Sequence, residues 1–198
     1  MINVAETCVG TRALGDGLRS VVWVQGCPFH CRGCIAPQWI PFRPARRVEP
    51  AALAAELLAD PRVTGLTLSG GEPMEQASGL AAMVRAARAE RELSVICFTG
   101  HRLAELSGRP GAAGLLAELD VLIDGRYVRS RDDDRGLRGS DNQRVHHLTG
   151  RLAGSAAALE AGPRGAELRM RGDGTALLVG VPPRALADGL GALAKETA

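Results

Sequence analysis

The chain has 198 residues, 45% hydrophobic and 23% charged, with a formal net charge of +2. That length allows one domain with a sizeable core, and so small a charge gives no argument for nucleic acid or an anionic membrane as the main partner, and neither is expected. No apolar stretch approaches the roughly 20 residues that span a bilayer, and the start Met1-Ile2-Asn3-Val4-Ala5-Glu6 lacks the basic and apolar segments of a signal peptide.

In chain order, segment 20–25 is rich in β-branched residues and is predicted as the first strand. A run with three cysteines follows it directly, Gln25-Gly26-Cys27-Pro28-Phe29-His30-Cys31-Arg32-Gly33-Cys34. Residues 37–50 hold Pro37, Pro41, Pro44 and Pro50, which predicts an extended surface connection. A short helix over 51–59 has Pro50 suited to its first turn. The second strand, 63–69, ends in Gly70-Gly71-Glu72-Pro73. Residues 76–91 form an Ala-rich helix whose Leu80, Met83, Val84 and Ala87 share a face. A third strand at 93–99 precedes helical stretches at about 101–107 and 112–118, and Val121-Leu122-Ile123-Asp124 is a short fourth strand. Beyond residue 150 the pattern changes. A short helix and loop over Ala153–Gly165 lead to a hairpin, 167–171 and 175–179, across Gly172-Asp173-Gly174, and a small helix follows Pro182-Pro183 at about 183–194.

Strands alternating with helices imply crossovers and a parallel sheet, so the fold class is α/β. In such sheets the reactive site lies at the carboxyl ends of the strands. The cysteines, Gly-Gly-Glu-Pro, Thr99-Gly100 and Asp124-Gly125 are therefore expected on one rim. The division expected is a core over 1–149 and an addition over 150–198.

Five cysteines, an odd number with three bunched, do not read as a disulfide framework, which places the chain in a reducing cytoplasm. A closed zinc site or an ordinary iron–sulfur centre takes four protein ligands, so three close thiolates leave one position for something else. A 4Fe-4S cube held at three corners exposes one iron. The rival is a zinc site completed by Cys8, His30, Cys97 or His101, which leaves the other motifs unexplained. Cys97 alternates with Val95 and reads as a buried core thiol.

Cys27-x-x-x-Cys31-x-x-Cys34 after a strand, with Ser69-Gly70-Gly71-Glu72-Pro73 after the next, resembles the radical S-adenosylmethionine enzymes. Within them the nearest likeness is to the activating enzymes of anaerobic (class III) ribonucleotide reductase. Gly15-Asp16-Gly17-Leu18-Arg19, Phe98-Thr99-Gly100-His101, Asp124-Gly125-Arg126-Tyr127-Val128 and the Arg138-Gly139-Ser140-Asp141-Asn142-Gln143 run carry it. The likeness covers about residues 1–149; the last fifty have no counterpart in the shorter activases. It implies a truncated (β/α) partial barrel of the radical SAM type with a small C-terminal β-hairpin plus helix. It also implies a 4Fe-4S cluster on Cys27, Cys31 and Cys34, and S-adenosyl-L-methionine chelated to the open iron. One electron, from a flavodoxin or ferredoxin, would cleave the sulfonium. The 5′-deoxyadenosyl radical would then take a hydrogen atom from a glycine of a partner glycyl-radical enzyme, the anaerobic ribonucleotide reductase.

By the same resemblance the Gly70, Gly71 and Glu72 loop binds the methionyl amino group, the glycines letting backbone approach a ligand. Gly33 and Ile35 would contact the adenosine portion, and Thr99 and Asp124 its ribose or polar edge. Arg138, Ser140 and Asn142 would lie near the mouth, gripping the partner's glycyl loop. Gly33 stands where many radical enzymes have an aromatic, a glycine shared by the reductase activators; His101 stands where an aromatic is commoner, and Ile35 where Tyr is frequent. Two other functions stay open: a radical enzyme acting on a small molecule or peptide, such as a deazapurine synthase, and a metal-binding or electron-transfer module without catalysis. The Arg129–Arg135 charge cluster reads as a solvated loop, with partner docking as the rival, and His146 and His147 as one packed and one solvated side chain.

Overall fold

The structure, a computed structural model, describes residues 1–196; Thr197 and Ala198, the end of the expected addition, lie outside the described residues. Strands β1 (Ile2–Thr11), β2 (Arg19–Val24), β3 (Arg46–Val48), β4 (Gly65–Gly70), β5 (Ser94–Thr99), β6 (Val121–Asp124) and β7 (Arg144–His147) form one sheet. Their order is β3-β1-β2-β4-β5-β6-β7. The four central strands, β2, β4, β5 and β6, are parallel, while β1, β3 and β7 add antiparallel at the sides. The expected α/β class with a parallel centre holds. Among the described residues no ladder joins β3 to β7, so the sheet is open.

The four strands expected from sequence are β2, β4, β5 and β6, but β2 is not the first. β1 escapes a search for alternation because its register with β2 shifts between Val4 and Glu6 and again between Cys8 and Thr11. Each bulge turns the following side chains to the other face. Ile2 and Val4 thus join one core and Cys8 the other. The proline-rich connection is not wholly extended either; it contains a 3-10 turn at Pro37–Trp39 and the edge strand β3.

Two apolar clusters lie on opposite faces of the sheet, as the alternation along β2 shows. Val22 and Val24 face helices α1 (Pro50–Leu57), α2 (Ala77–Glu90) and α3 (Ala112–Leu116), whereas Val21 and Trp23 face the other way. Every residue of β2 is buried, and each large apolar side chain so enclosed contributes about 1.5–3 kcal/mol. α1 begins on Pro50 as expected and buries Leu53, Ala54 and Leu57; α2 buries Leu80, Met83, Val84 and Ala87 on one stripe. The stretch at 101–107 is only a 3-10 turn, Leu103–Leu106.

The second face is covered by the C-terminal segment. Helix α4 (Ala156–Ala161), the hairpin of β8 (Ala166–Met170) and β9 (Ala176–Gly180), and helix α5 (Arg184–Glu196) follow in order, close to the expected positions. Leu152, Leu159 and Val179 pack into the cluster of Val21, Trp23, Ile96 and Ile123. Arg164, with 1% of its side chain exposed, reaches Asp132 at 2.7 Å and Asp134 at 3.2 Å and donates to the Arg138 carbonyl at 2.6 Å. The charge cluster is exposed along most of its length, as expected of a solvated loop, with Asp132 alone turned in against Arg164. It is the seam that holds the C-terminal segment, with Arg184 N–H also donating to Asp134 and Arg129 paired with Asp188 of α5.

Candidate metal centre at the carboxyl rim

Pairing of Val24 with Gly70 and of Thr99 with Asp124 puts the ends of β2, β4, β5 and β6 side by side. The cysteine loop leaves β2 through Gly26, at φ 100°. It is pinned where it begins: Gly26 N–H donates to Trp39 O and Cys27 N–H to Ile40 O, each at 2.9 Å, while Trp39 packs on Trp23 at 5.6 Å between ring centroids. Cys34 N–H donates back to Cys31 O at 3.1 Å, closing a turn around Gly33, whose φ is 81°.

Cys27, Cys31 and Cys34 are free, part-exposed thiols on this one loop, whereas Cys8 and Cys97 are buried in the clusters on opposite faces of the sheet. Among the described residues no group of three or more His, Cys, Asp or Glu forms a site for a single metal ion. Cys8 and Cys97, enclosed in the cores, are not placed to complete a zinc site on the loop. The donor set fits a cluster by its chemistry: all-sulfur, accessible and short of a fourth thiolate. Burial, then the Glu72 charge and the neighbouring thiols, push the Cys27 thiol up to about 11 against the pull of the Phe29 backbone; burial also raises Cys34. These thiols ionise when a metal takes the proton's place. One expected result follows for the metal-free chain. Below its pKa a thiol gains thiolate about tenfold per pH unit, so alkylation of Cys27 should climb steadily from pH 7 to pH 10. A plateau near pH 8.5, followed by mass spectrometry, would contradict this.

The glycine pair serves a close approach of backbone to backbone. Gly70 has φ 109°, and a Cβ on it would overlap the backbone of Trp23 and Val24; one on Gly71 would overlap Gly26. Gly71 N–H donates to Val24 O at 2.7 Å and Glu72 N–H to Gly26 O at 2.8 Å, so the parallel ladder continues into the cysteine loop. The glycines press one strand end onto the other.

Glu72 is 1% exposed. Its Oε1 accepts from Met74 N–H at 2.9 Å and Thr99 Oγ1 at 2.7 Å, and its Oε2 from Gly100 N–H at 2.8 Å. Burial raises its pKa, opposed by these three donors. Glu72→Gln turns an amide NH2 toward donors and should cost about 1–3 kcal/mol in denaturant unfolding of the metal-free chain; an unchanged midpoint would show that the carboxylate is not the tie. Asp124, 3% exposed, accepts from Leu103 N–H at 2.6 Å and lies 2.9 Å from His146 Nε2. The rim thus brings Glu72 and Thr99 together, and turns the Asp124 carboxylate to a separate turn. Gly33 packs on Arg129, whose Cδ lies 3.0 Å from the place of a Cβ, and Ile35 is 58% exposed. His146 and His147 are both part-buried against carboxylates, the second 3.1 Å from Glu160, so neither is simply solvated.

The run 138–143 braces the loop after β6. Ser140, fully buried, accepts from Val128 N–H at 3.1 Å. Gln143 accepts from Gly139 N–H at 2.7 Å and Ser140 N–H at 3.1 Å, and donates to Gly125 O at 2.7 Å. Asn142 donates to Arg126 O at 2.8 Å, and Arg138 pairs with Asp133 at 2.7 Å. Gln143 belongs among the site's framing residues and had no role from sequence; its signal was its place in the run. Arg129 was marked only as part of a charge cluster, because its contact with Gly33 joins distant segments.

Three free thiols on one loop at the carboxyl rim of a parallel sheet define an iron–sulfur α/β protein. The model of a family described as "4Fe-4S single cluster domain" matches residues 13–146. A relative from Vibrio cholerae is 34% identical over 145 residues, covering 68% of this chain and 91% of its own. One from Haemophilus influenzae is 31% identical over 143 residues, covering 68% and 90%. One from Enterobacteria phage T4 is 30% identical over 138 residues, covering 66% and 85%. Each is named anaerobic ribonucleoside-triphosphate reductase-activating protein. The chain belongs to this single-cluster 4Fe-4S family, on the branch of the anaerobic reductase activators.

Proposed function

We propose that this chain is a radical S-adenosylmethionine enzyme that installs a glycyl radical on an anaerobic ribonucleotide reductase. Cys27, Cys31 and Cys34 would hold a 4Fe-4S cluster and leave its fourth iron to S-adenosylmethionine. When bound, that cluster supplies the low-potential electron that splits the sulfonium, giving a 5′-deoxyadenosyl radical able to take hydrogen from a glycine Cα. The observation that carries this reading is the placement of three part-exposed thiols on the rim while the two remaining thiols are sealed in the cores.

The chain's own residues prepare the place. Gly70 and Gly71 set the end of β4 against the cysteine loop, leaving the Gly-Gly-Glu-Pro backbone as the neighbour for the methionyl amino group. Glu72 acts by holding the Thr99–Gly100 turn at the same rim. Gly33 and exposed Ile35 would border the adenosine side, and Thr99 and Asp124, both buried, would shape its polar edge from behind through Glu72 and the Leu103 turn. Residues 1–149 would be the partial-barrel core, and 150–198 an addition that excludes water from its second face. The electron donor would be a flavodoxin or ferredoxin, and the free thiols suit a reducing cytoplasm.

The test is to incubate the reduced, anaerobically reconstituted chain with S-adenosylmethionine and an anaerobic ribonucleotide reductase. A doublet-like glycyl signal on the reductase, with 5′-deoxyadenosine formed, is expected. Cleavage without that signal would move the target to another molecule.

A further inference from the structure

We infer that Phe29 is a positioning residue, a peg that sets the approach of Cys27 and Cys31 to one cage. The inference deepens the reading of this loop as a cluster holder and rests on it. Phe29 stands midway between the two cysteines. It is 9% exposed, while its neighbours Pro28 and His30 are exposed.

Three groups from two other strand ends seat the ring. The His101 imidazole meets it edge-on, with centroids 4.6 Å apart and planes at 69°. The Arg126 guanidinium lies over its face, with Cζ 4.5 Å from the centroid, a cation–π arrangement. Gly100 forms the floor: a Cβ there would overlap Cδ2 and Cε2 of the ring. Here the glycine is required by close contact with an aromatic side chain.

The socket is itself tied to the start of the cysteine loop. Glu72 N–H donates to Gly26 O at 2.8 Å, and the Glu72 carboxylate accepts from Thr99 and from Gly100, the residue under the ring. The path Gly26, Glu72, Gly100, Phe29 therefore returns to the loop it left. Cys27 is held between two fixed points, and its Sγ lies 3.5 Å from Phe29 O. Without the peg, the stretch from Pro28 to Gly33 is mostly exposed, and holding three thiols toward one cage would cost the conformational freedom of that stretch. Phe29 acts through the cysteines and touches no reacting atom.

The experiment uses the full chain, metal-free, reduced and anaerobic, and reads the iodoacetamide alkylation rate of each cysteine by peptide mass spectrometry. Cys97, fully buried, reports the fold. Phe29→Ala is expected to speed alkylation of Cys27 about tenfold with Cys97 still protected, through local opening of the loop. Phe29→Tyr, which keeps the flat ring, should stay near the wild-type rate. Gly100→Ala, which keeps Phe29 but fills its socket, should raise the Cys27 rate as Phe29→Ala does. An unchanged Cys27 rate in Phe29→Ala overturns the inference. So does exposure of Cys97 together with Cys27, because the ring would then support the whole fold. These rates are read without a cluster. A wild-type chain that binds no iron would sink the cluster reading, while the thiol rates alone decide on the peg.

Discussion

Replacing Cys27, Cys31 or Cys34 with alanine is expected to leave a folded protein without its cluster. Each thiol is part-exposed on a loop, and none lies in the two apolar cores, so denaturant stability of the metal-free chain should move little. Two thiolates cannot anchor a cubane, so iron after reconstitution should fall toward background, and S-adenosylmethionine cleavage below about 1% of wild type. Cys8→Ala is the contrast. That thiol is buried at 8% exposure on the second face, and its loss should cost some stability and no iron. Retained cleavage in any of the three loop variants would refute their assignment as ligands.

The largest effect on stability is expected at Arg19, the largest of the fully buried side chains. Among the described residues its guanidinium has no carboxylate in contact and is satisfied by neutral acceptors instead. Nε donates to Thr67 Oγ1 at 2.8 Å; Nη1 to Ser94 Oγ at 2.7 Å and Asp16 O at 3.1 Å; Nη2 to Ser94 O at 3.1 Å and to Leu66 O. Burial brings its pKa down to about 10, which leaves it charged at neutral pH. Room for it comes from glycines, since a Cβ on Gly65 would strike Nη1 and one on Gly15 would crowd its stem. Arg19→Met removes every donor at once and leaves the acceptors of β4 and β5 unmatched. The expected loss is about 3–5 kcal/mol in denaturant unfolding, a large share of the roughly 5–15 kcal/mol that holds a domain folded. Arg19→Lys keeps the charge with fewer donors and should fall between. A loss under about 1 kcal/mol for Arg19→Met would mean that the network is replaced by water or repacking.

The Gly15-Asp16-Gly17-Leu18-Arg19 stretch thus illustrates what sequence conveys here. Its glycines mark a turn, Gly15 at φ 120° and Gly17 at φ 80°, and that much is local. Its purpose, delivering a guanidinium beneath three strands, depends on Thr67 and Ser94 and is not local. The same division runs through the molecule. The thiol spacing at Cys27, Cys31 and Cys34 is legible because one loop carries the whole donor set. The hairpin of β8 and β9 is legible because Gly174, at φ 84°, sits in the turn between an alternating run, Glu167–Arg171, and an apolar one, Ala176–Val179.

β1 was not legible, because its bulges break the alternation that reveals a strand. The Gly-Gly-Glu-Pro loop could be placed at the rim. Its reason could not, since the backbone that excludes side chains from Gly70 and Gly71 lies at Trp23–Gly26, more than forty residues earlier. Asp132 looked solvated because the Arg164 that buries itself against it comes some thirty residues later, whereas Asp134 does stay exposed. Phe29 gave no signal because all three groups of its socket, Gly100, His101 and Arg126, arrive with later strands.

The central claim is a cubane with three thiolate anchors and one iron open to S-adenosylmethionine. Its most direct test is electron paramagnetic resonance of the reduced, anaerobically reconstituted full chain, recorded before and after that molecule is added. A 4Fe-4S signal whose shape changes on addition is the expected result. A signal indifferent to S-adenosylmethionine, or a colourless protein holding one zinc ion, would contradict it.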